Sequence, residues 1–503
     1  MKKILVIALF TTLAFQSCTD VEEKVYDKYA AKDFYSTSSG ADVALANVYS
    51  QIPGNWGGLG YAGADNGWYD LNSMSTDEQV VPHRNTGDWQ LSFSQLYLRT
   101  WFPSHEIVTN TWNWLYSSVF KANLAVELLE DAKADASKIA EARVLRAFFY
   151  YLLMDDFGTV PFYTENNITV DQMTQKTPKE IFEFVESELK ASVDDLSETR
   201  GGDYYGRFNK WAGYALLAKL YLNAETYTGT ARWADCITAC DEVAKGGYTL
   251  HSGAADNSSL GSKYYELFGD VCPDDETILA IYTKVDVVGR NIFTIRSFGG
   301  TDGATLFGGA SVWNGTVCPE DFVNKFADND VRKRQFRYGE NPYGPQPAGF
   351  VVYTPTVTNI NDPGADRYAG IRNQKFYPAA PMNGGGTSND FPIYRYADIM
   401  LMKAECLVRT DKASDAKPLI DAVRVRAGLS GLAANPTLDD IYNERGFELS
   451  WEGHRRQDMI RFGTFTKAHG LAPAVDDHWK LFPIPTSALN ANANLVQNTG
   501  YGN

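Results

Sequence analysis

Catalytic signatures are missing from this chain of 503 residues. It holds no HExxH pattern, no GxxxxGK[ST] loop and no GxSxG elbow, so metal-assisted hydrolysis, phosphate-loop chemistry and a serine nucleophile have no support. Histidine is scarce: the six residues are scattered, none at metal-ligand spacing, and neither a metal nor a cofactor is expected. The six cysteines (18, 236, 240, 272, 318 and 406) include no CxxC pair, which argues against a zinc ribbon. Cys236 and Cys240, four apart beside Trp233 and Ile237, are expected as core residues, because free cysteine packs as a small hydrophobe. Basic residues are in deficit, 46 against 62 acidic ones for a net charge of −16. That balance argues against nucleic acid or anionic lipid as ligand.

Long apolar runs are absent too, apart from one at the start. Lys2 and Lys3 precede Ile4–Ala14, which is too short to span a bilayer, since a spanning helix needs about 20 apolar residues. Phe15-Gln16-Ser17-Cys18 closes the run, and the layout is that of a secretory leader. Residues 1–17 are expected to be a signal peptide cleaved before Cys18, which would then carry acyl chains that hold the protein to a membrane. Asp20, Glu22 and Glu23 follow at once, in a tether expected over residues 18–39.

The mature chain reads as one mainly helical domain, residues 40–503, with a helical scaffold at about 40–250 and 394–503. Thr177-Pro178-Lys179-Glu180 is a capping box with proline at the first helical position. Ile181, Val185, Leu189 and Val193 recur behind it as one buried stripe. Three apolar helices place a small residue four before a large one: Ala147 and Tyr151, Ala212 and Leu216, Ala397 and Leu401. Small residues admit a neighbouring helix and large ones fill the gap, the logic of degenerate tetratricopeptide-type helix pairs. Residues 252–390 differ. They are rich in Gly, Asn, Asp, Pro and Tyr and predict a loop-rich half with a few short strands, at Glu276–Thr283 and Phe350–Thr356. Pro53–Trp101 reads as a second irregular stretch. Its Gly58-Leu59-Gly60-Tyr61-Ala62-Gly63 fits GxGxxG but lacks the strand and helix that a dinucleotide site needs.

One stretch is dense in charge: ERGFELSWEGHRRQDMIRFG, Glu444 to Gly463. Read as a single helix, it sets Glu444, Glu448 and Glu452 on one face. Carboxylates one turn apart could flank a glycosidic bond. A catalytic acid must however escape arginine pairing, which lowers its pKa. Arg445, Arg455, Arg456 and Arg461 lie close by, so an ion-pair strut is the preferred reading and a glycoside hydrolase using Glu448 and Glu452 the alternative.

The same stretch resembles the C-terminal signature of the SusD/RagB family of nutrient-binding lipoproteins. Further pieces match in order: STDE (Ser75–Glu78), WNWLYSSVFKAN (Trp112–Asn123), EARVLRAFFYYLLMDDFGTVPF (Glu141–Phe162), YRYADIMLMKAE (Tyr394–Glu405), VRVRAGL (Val423–Leu429), LFPIP (Leu481–Pro485) and QNTGY (Gln497–Tyr501). The resemblance implies a SusD-like fold of four tetratricopeptide-like pairs packed on an irregular half, and no catalysis. It implies a lipid-anchored place on the outer membrane of Bacteroidetes, at the cell surface, where such proteins cap a SusC-like TonB-dependent transporter. Most members bind oligosaccharides and some resemble peptide binders. The acidic run after Cys18 resembles the family's surface-export tags.

For a glycan ligand, aromatic planes must meet the C–H faces of sugars while polar groups meet the hydroxyls. The resemblance puts Trp89 where many members carry a stacking tryptophan. Trp313 in a Gly-rich loop is a second candidate, with Asp70, Asn72, Asp77, Arg367, Arg372 and Tyr394 as a polar rim. Asp77 could instead cap a turn, and Tyr394 could be core. A third possibility is a structural lid whose ligand contacts are made by the transporter.

Overall fold

The computed structural model describes residues 31–502 except 55–59, 85–88, 253–259, 286, 340–342, 345, 347, 362–365 and 380–384. The leader 1–17, Cys18 and the tether up to residue 30 lie outside the described residues, as do Gly58 and Leu59 of the GxGxxG match.

The chain is mainly helical, as the patterns predict. The helices Glu106–Asp131 and Ala136–Phe157 pack together, and the second also packs on Pro178–Ser192. Lys210–Leu222 packs on Trp233–Ala244, which in turn meets Tyr396–Arg409, followed by its partner Ala413–Arg426. Apolar side chains drive this. The small residues Ala147, Ala212 and Ala397 are buried with their partners Tyr151, Leu216 and Leu401. The capping box forms: Glu180 N–H donates to the Thr177 hydroxyl and Thr177 N–H to the Glu180 carboxylate. The stripe Ile181, Val185, Leu189, Val193 is buried. Cys236 and Cys240 are buried free thiols, as are Cys272, Cys318 and Cys406.

Three differences from the expectations matter. The tether was expected to run to residue 39, yet Ala31–Tyr35 and Ser38–Tyr49 are helices, and the first packs on the second and on Glu106–Asp131. Tyr35 adds an apolar contact to the core, so packing captures this segment despite its polar composition. Pro53–Trp101 is not wholly irregular: it contains the helices Trp68–Ser73 and Leu91–Leu98. Every residue of Trp68–Ser73 is buried, so tertiary burial rather than propensity stabilises this short helix. Of the two strand-like runs, Thr277–Ile281 pairs antiparallel with Phe391–Arg395. Phe350–Thr356 forms only an isolated bridge, Thr354 to Ala369.

The loop-rich half has its own small core, with Ile295, Phe298, Phe307 and Tyr353 at its centre. Trp313 and Tyr368 pack on its edge. This core carries the loops described next.

Candidate functional site

The charged stretch resolves first. It is not one helix: Leu438–Glu448 ends, Trp451 and Gly453 adopt positive φ, and a new helix runs Arg455–Arg461. Glu448 and Glu452 are buried. Their partners come chiefly from elsewhere in the chain. Arg395 donates to Glu448 at 2.9 Å and to Glu452 at 2.7 Å, Arg332 reaches Glu448 at 3.1 Å, and Lys375 reaches Glu452 at 2.7 Å. Within the stretch, Asp458 pairs with Arg445 at 2.9 Å and Arg461 at 2.6 Å. Burial alone would raise the Glu448 carboxyl, but Arg426, Arg395 and Arg332 outweigh it and hold it at about 2. Arg395 and Lys375 likewise overcome burial at Glu452 and lower it. Neither group can deliver a proton at neutral pH, and neither faces solvent. The stretch is a buried ion-pair strut.

The two tryptophans, 224 residues apart, come together. Trp89 stands just before the helix Leu91–Leu98, half-buried, its ring edge-on to Phe93 at 5.4 Å. Its indole Nε1 donates to the Trp313 carbonyl at 3.1 Å, and the ring centroids lie 6.4 Å apart with the planes at 47°. Gly315 makes this possible, because a Cβ there would stand 2.5 Å from the Trp89 ring.

The loop behind Trp313 turns at Asn314, which has φ +55°, a left-handed conformation that asparagine tolerates better than most residues. Buried guanidinium groups hold the turn. Arg84 donates to the Asn314 carbonyl at 2.7 Å, and Arg372 to its side-chain oxygen at 2.7 Å. The Asn314 amide donates to the Arg367 carbonyl at 3.0 Å. Trp89, Trp313 and the exposed Arg367 thus converge on one turn, with half-buried Tyr368 beside Arg367. Sequence reasoning missed Arg84, Asn314, Gly315 and Tyr368. The Asn-Gly pair after Trp313 is a turn signal that could have pointed to two of them.

The rest of the expected rim is corrected. Arg372 is fully buried over the Tyr353 ring, 4.4 Å from its centroid, and burial pulls its pKa down to about 10. It positions the turn and does not face solvent. Asp70 is buried and paired with Arg296 at 2.8 Å. Burial pushes its carboxyl up to about 6 against the pull of Arg296. Asn72, on the same enclosed helix, donates to the Trp68 carbonyl at 3.2 Å. Asp77 receives two hydrogen bonds from Arg455, at 2.7 and 2.8 Å, with Lys325 at 3.2 Å. Burial is outweighed there by Arg455, so the carboxyl sits well below its usual range. Tyr394 is a core residue. Asp70 and Asn72 are enclosed with the helix Trp68–Ser73, Asp77 against Arg455, Arg372 over the Tyr353 ring and Tyr394 on the strand Phe391–Arg395, placements that residue type alone does not reveal.

A larger cavity of about 470 Å³ lies elsewhere, beside the helix Ser38–Tyr49, lined by Leu45, Tyr49, Tyr205, Arg207 and Tyr282 among others. Several of its polar groups are already engaged: Tyr49 and Arg207 with Glu141, Tyr205 with Asp390. We place the candidate site at the paired indoles, two half-buried loop tryptophans on the turn that also holds the exposed Arg367. Among the described residues no cluster of three His, Cys, Asp or Glu is placed to hold a metal.

A helical scaffold carrying an aromatic platform on loops, with Glu448, Glu452 and Asp458 locked in ion pairs, has the makings of a binding protein. Comparison with known proteins agrees. Residues 233–501 match the model of the SusD family, and residues 58–222 match a second model described as starch-binding associating with outer membrane. The chain belongs to the SusD family. It is 24% identical to the starch-binding protein SusD of Bacteroides thetaiotaomicron, over 86% of this chain and 85% of that one. A solved laminarin-binding SusD-like protein shares the fold, with a TM-score of 0.72 at 23% identity over 93% of this chain and all of that one. The surface glycan-binding protein A of Bacteroides fluxus does too, at 0.73 and 20%, over 93% and 100% of the respective chains.

Proposed function

We propose that this protein captures an oligosaccharide at the cell surface on the platform of Trp89, Trp313 and Arg367, and hands it uncut to a SusC-like TonB-dependent transporter. The observation that carries this reading is the pairing of two loop tryptophans from distant parts of the chain. Two indole faces at an angle can follow successive rings of a curved glycan, while the Arg367 guanidinium and loop amides meet hydroxyls. Relatives named for starch, laminarin and glycan binding support the ligand class. Lipidation at Cys18 would hold the platform outside the outer membrane, the membrane named for the second matching family model.

Affinity electrophoresis tests this, with gels containing soluble starch, laminarin, xylan or pectin. One glycan class is expected to retard the protein. Trp89→Ala or Trp313→Ala should weaken that retention by about tenfold, as for a central aromatic anchor. Equal retardation of the wild type and both variants would remove the platform from the account. Release of reducing ends would remove the claim that the glycan leaves uncut.

A further inference from the structure

A second hollow lies one helical turn from the indole pair. Phe93, which meets Trp89 edge-on, and Tyr97 stand four residues apart on the helix Leu91–Leu98, hence on one face. Tyr97, Val80 and Ile360 line a cavity of about 200 Å³, together with Leu471, Glu320 and Asp321. His83 ties the hollow to the platform: its backbone N–H donates to the Ile360 carbonyl at 2.7 Å, and its ring Nδ1 contacts the Trp89 carbonyl.

The chemistry of the hollow is two-sided. Its floor is apolar, and Leu471, a large aliphatic side chain, remains 43% exposed at its edge. Glu320 accepts from the Thr356 hydroxyl at 2.6 Å. Among the described residues neither the half-buried Glu320 nor the exposed Asp321 has a cation within ion-pair distance, so both rim carboxylates keep their charge toward the hollow's mouth. An apolar floor under an acceptor-only rim fits a sugar ring, with its C–H face down and its donors outward. The volume is below the ~300–1,000 Å³ of sites for drug-sized ligands, the scale of a single ring.

We infer that this hollow is a further saccharide subsite, continuous with the Trp89–Trp313 platform, that takes a ring bearing hydroxyl or amino donors and refuses uronic or sulfated rings. Two uncompensated carboxylates would repel an anionic substituent and favour an ammonium group. The inference rests on the glycan-capture reading above.

Saturation-transfer NMR on the purified protein tests it with three monosaccharide probes: glucosamine, methyl α-glucoside and glucuronate. Glucosamine is expected to give the strongest transfer and glucuronate none. Thr356→Trp, at an exposed rim position, should fill the hollow and abolish the glucosamine signal, whereas the Trp89→Ala/Trp313→Ala double variant should keep it. Glu320→Gln/Asp321→Asn should weaken glucosamine by about tenfold, the scale of a lost charge-assisted hydrogen bond, and admit glucuronate. This second variant decides the matter if Thr356→Trp fails to fold by circular dichroism. Equal transfer to glucosamine and glucuronate in the wild type would overturn the subsite. So would a glucosamine signal that vanishes with the tryptophans yet ignores the Thr356 and carboxylate variants, an outcome that would leave the platform standing. Absence of any monosaccharide signal, with polysaccharide retardation still dependent on Trp89, would also sink the subsite alone.

Discussion

At the scale of single residues, the molecule separates two uses of the same side-chain chemistry. Tryptophans 89 and 313 keep part of their faces clear of the core, while Asp70, Asp77 and Glu78 lie inside it. Glu78 is the sharpest case. Its carboxylate accepts from the Trp451 backbone N–H at 3.1 Å. Burial pushes it up to about 8; the Trp451 bond and Arg455 oppose the rise, and Asp77 adds to it. A carboxyl raised from about 4.5 to about 8 holds its proton more tightly folded than unfolded. Its contribution to stability is therefore complete below pH ~4.5 and is lost as pH rises through ~8. Asp390 at about 7 and Asp70 at about 6 act in the same direction. Glu78→Gln, which keeps the shape and removes the titration, should flatten the fall in thermal midpoint between pH 5 and pH 8. A wild-type midpoint that climbs across that window would contradict this assignment. Residue type did not forecast which carboxylates are enclosed, because an Asp in a loop-like sequence reads the same whether it faces solvent or an arginine.

Among the elements, legibility followed the strength of local rules. The Thr177–Glu180 box and the stripe behind it were readable because capping and a four-residue period are enforced within a few residues of sequence. The helix Trp68–Ser73 was not, because its stability comes from neighbours distant in the chain. The stretch Glu444–Gly463 shows both. Its role as an ion-pair strut was legible from the density of arginines, but the break at Trp451 and Gly453 was not, and the cations that matter, Arg332, Arg395 and Lys375, come from other elements. Arg395 joins the strand Phe391–Arg395 to the end of Leu438–Glu448 and to the turn after it, through Glu276 at 2.6 Å, Glu448 at 2.9 Å and Glu452 at 2.7 Å. Arg395→Met would leave these carboxylates buried with fewer partners. It should lower unfolding stability by about 3–5 kcal/mol in urea titration. Whatever fraction stays folded should still bind glycan, since none of these groups reaches the platform. A variant that is fully stable but has lost retention would place Arg395 at the ligand instead.

For the molecule as a whole, the question is what the anchor contributes to binding. The described chain begins with helices that are already packed into the scaffold, and the platform is assembled from residues 84, 89, 313–315 and 367–372, far along the sequence from Cys18. The net charge of −16 offers no electrostatic attraction to anionic lipid, so the proposed attachment through Cys18 would rest on acyl chains rather than on the folded surface. Anchor and platform should therefore be separable. Cys18→Ala should move the protein from the membrane fraction to the soluble fraction. Its retardation in a glycan-containing gel should match that of the wild type, and cells carrying it should take up the glycan poorly, because the platform would no longer stay beside its transporter. If the soluble variant bound glycan much more weakly, the site would require the membrane or the transporter to be complete, and the idea of a self-sufficient platform on a helical scaffold would have to give way to one in which the ligand is gripped between two proteins.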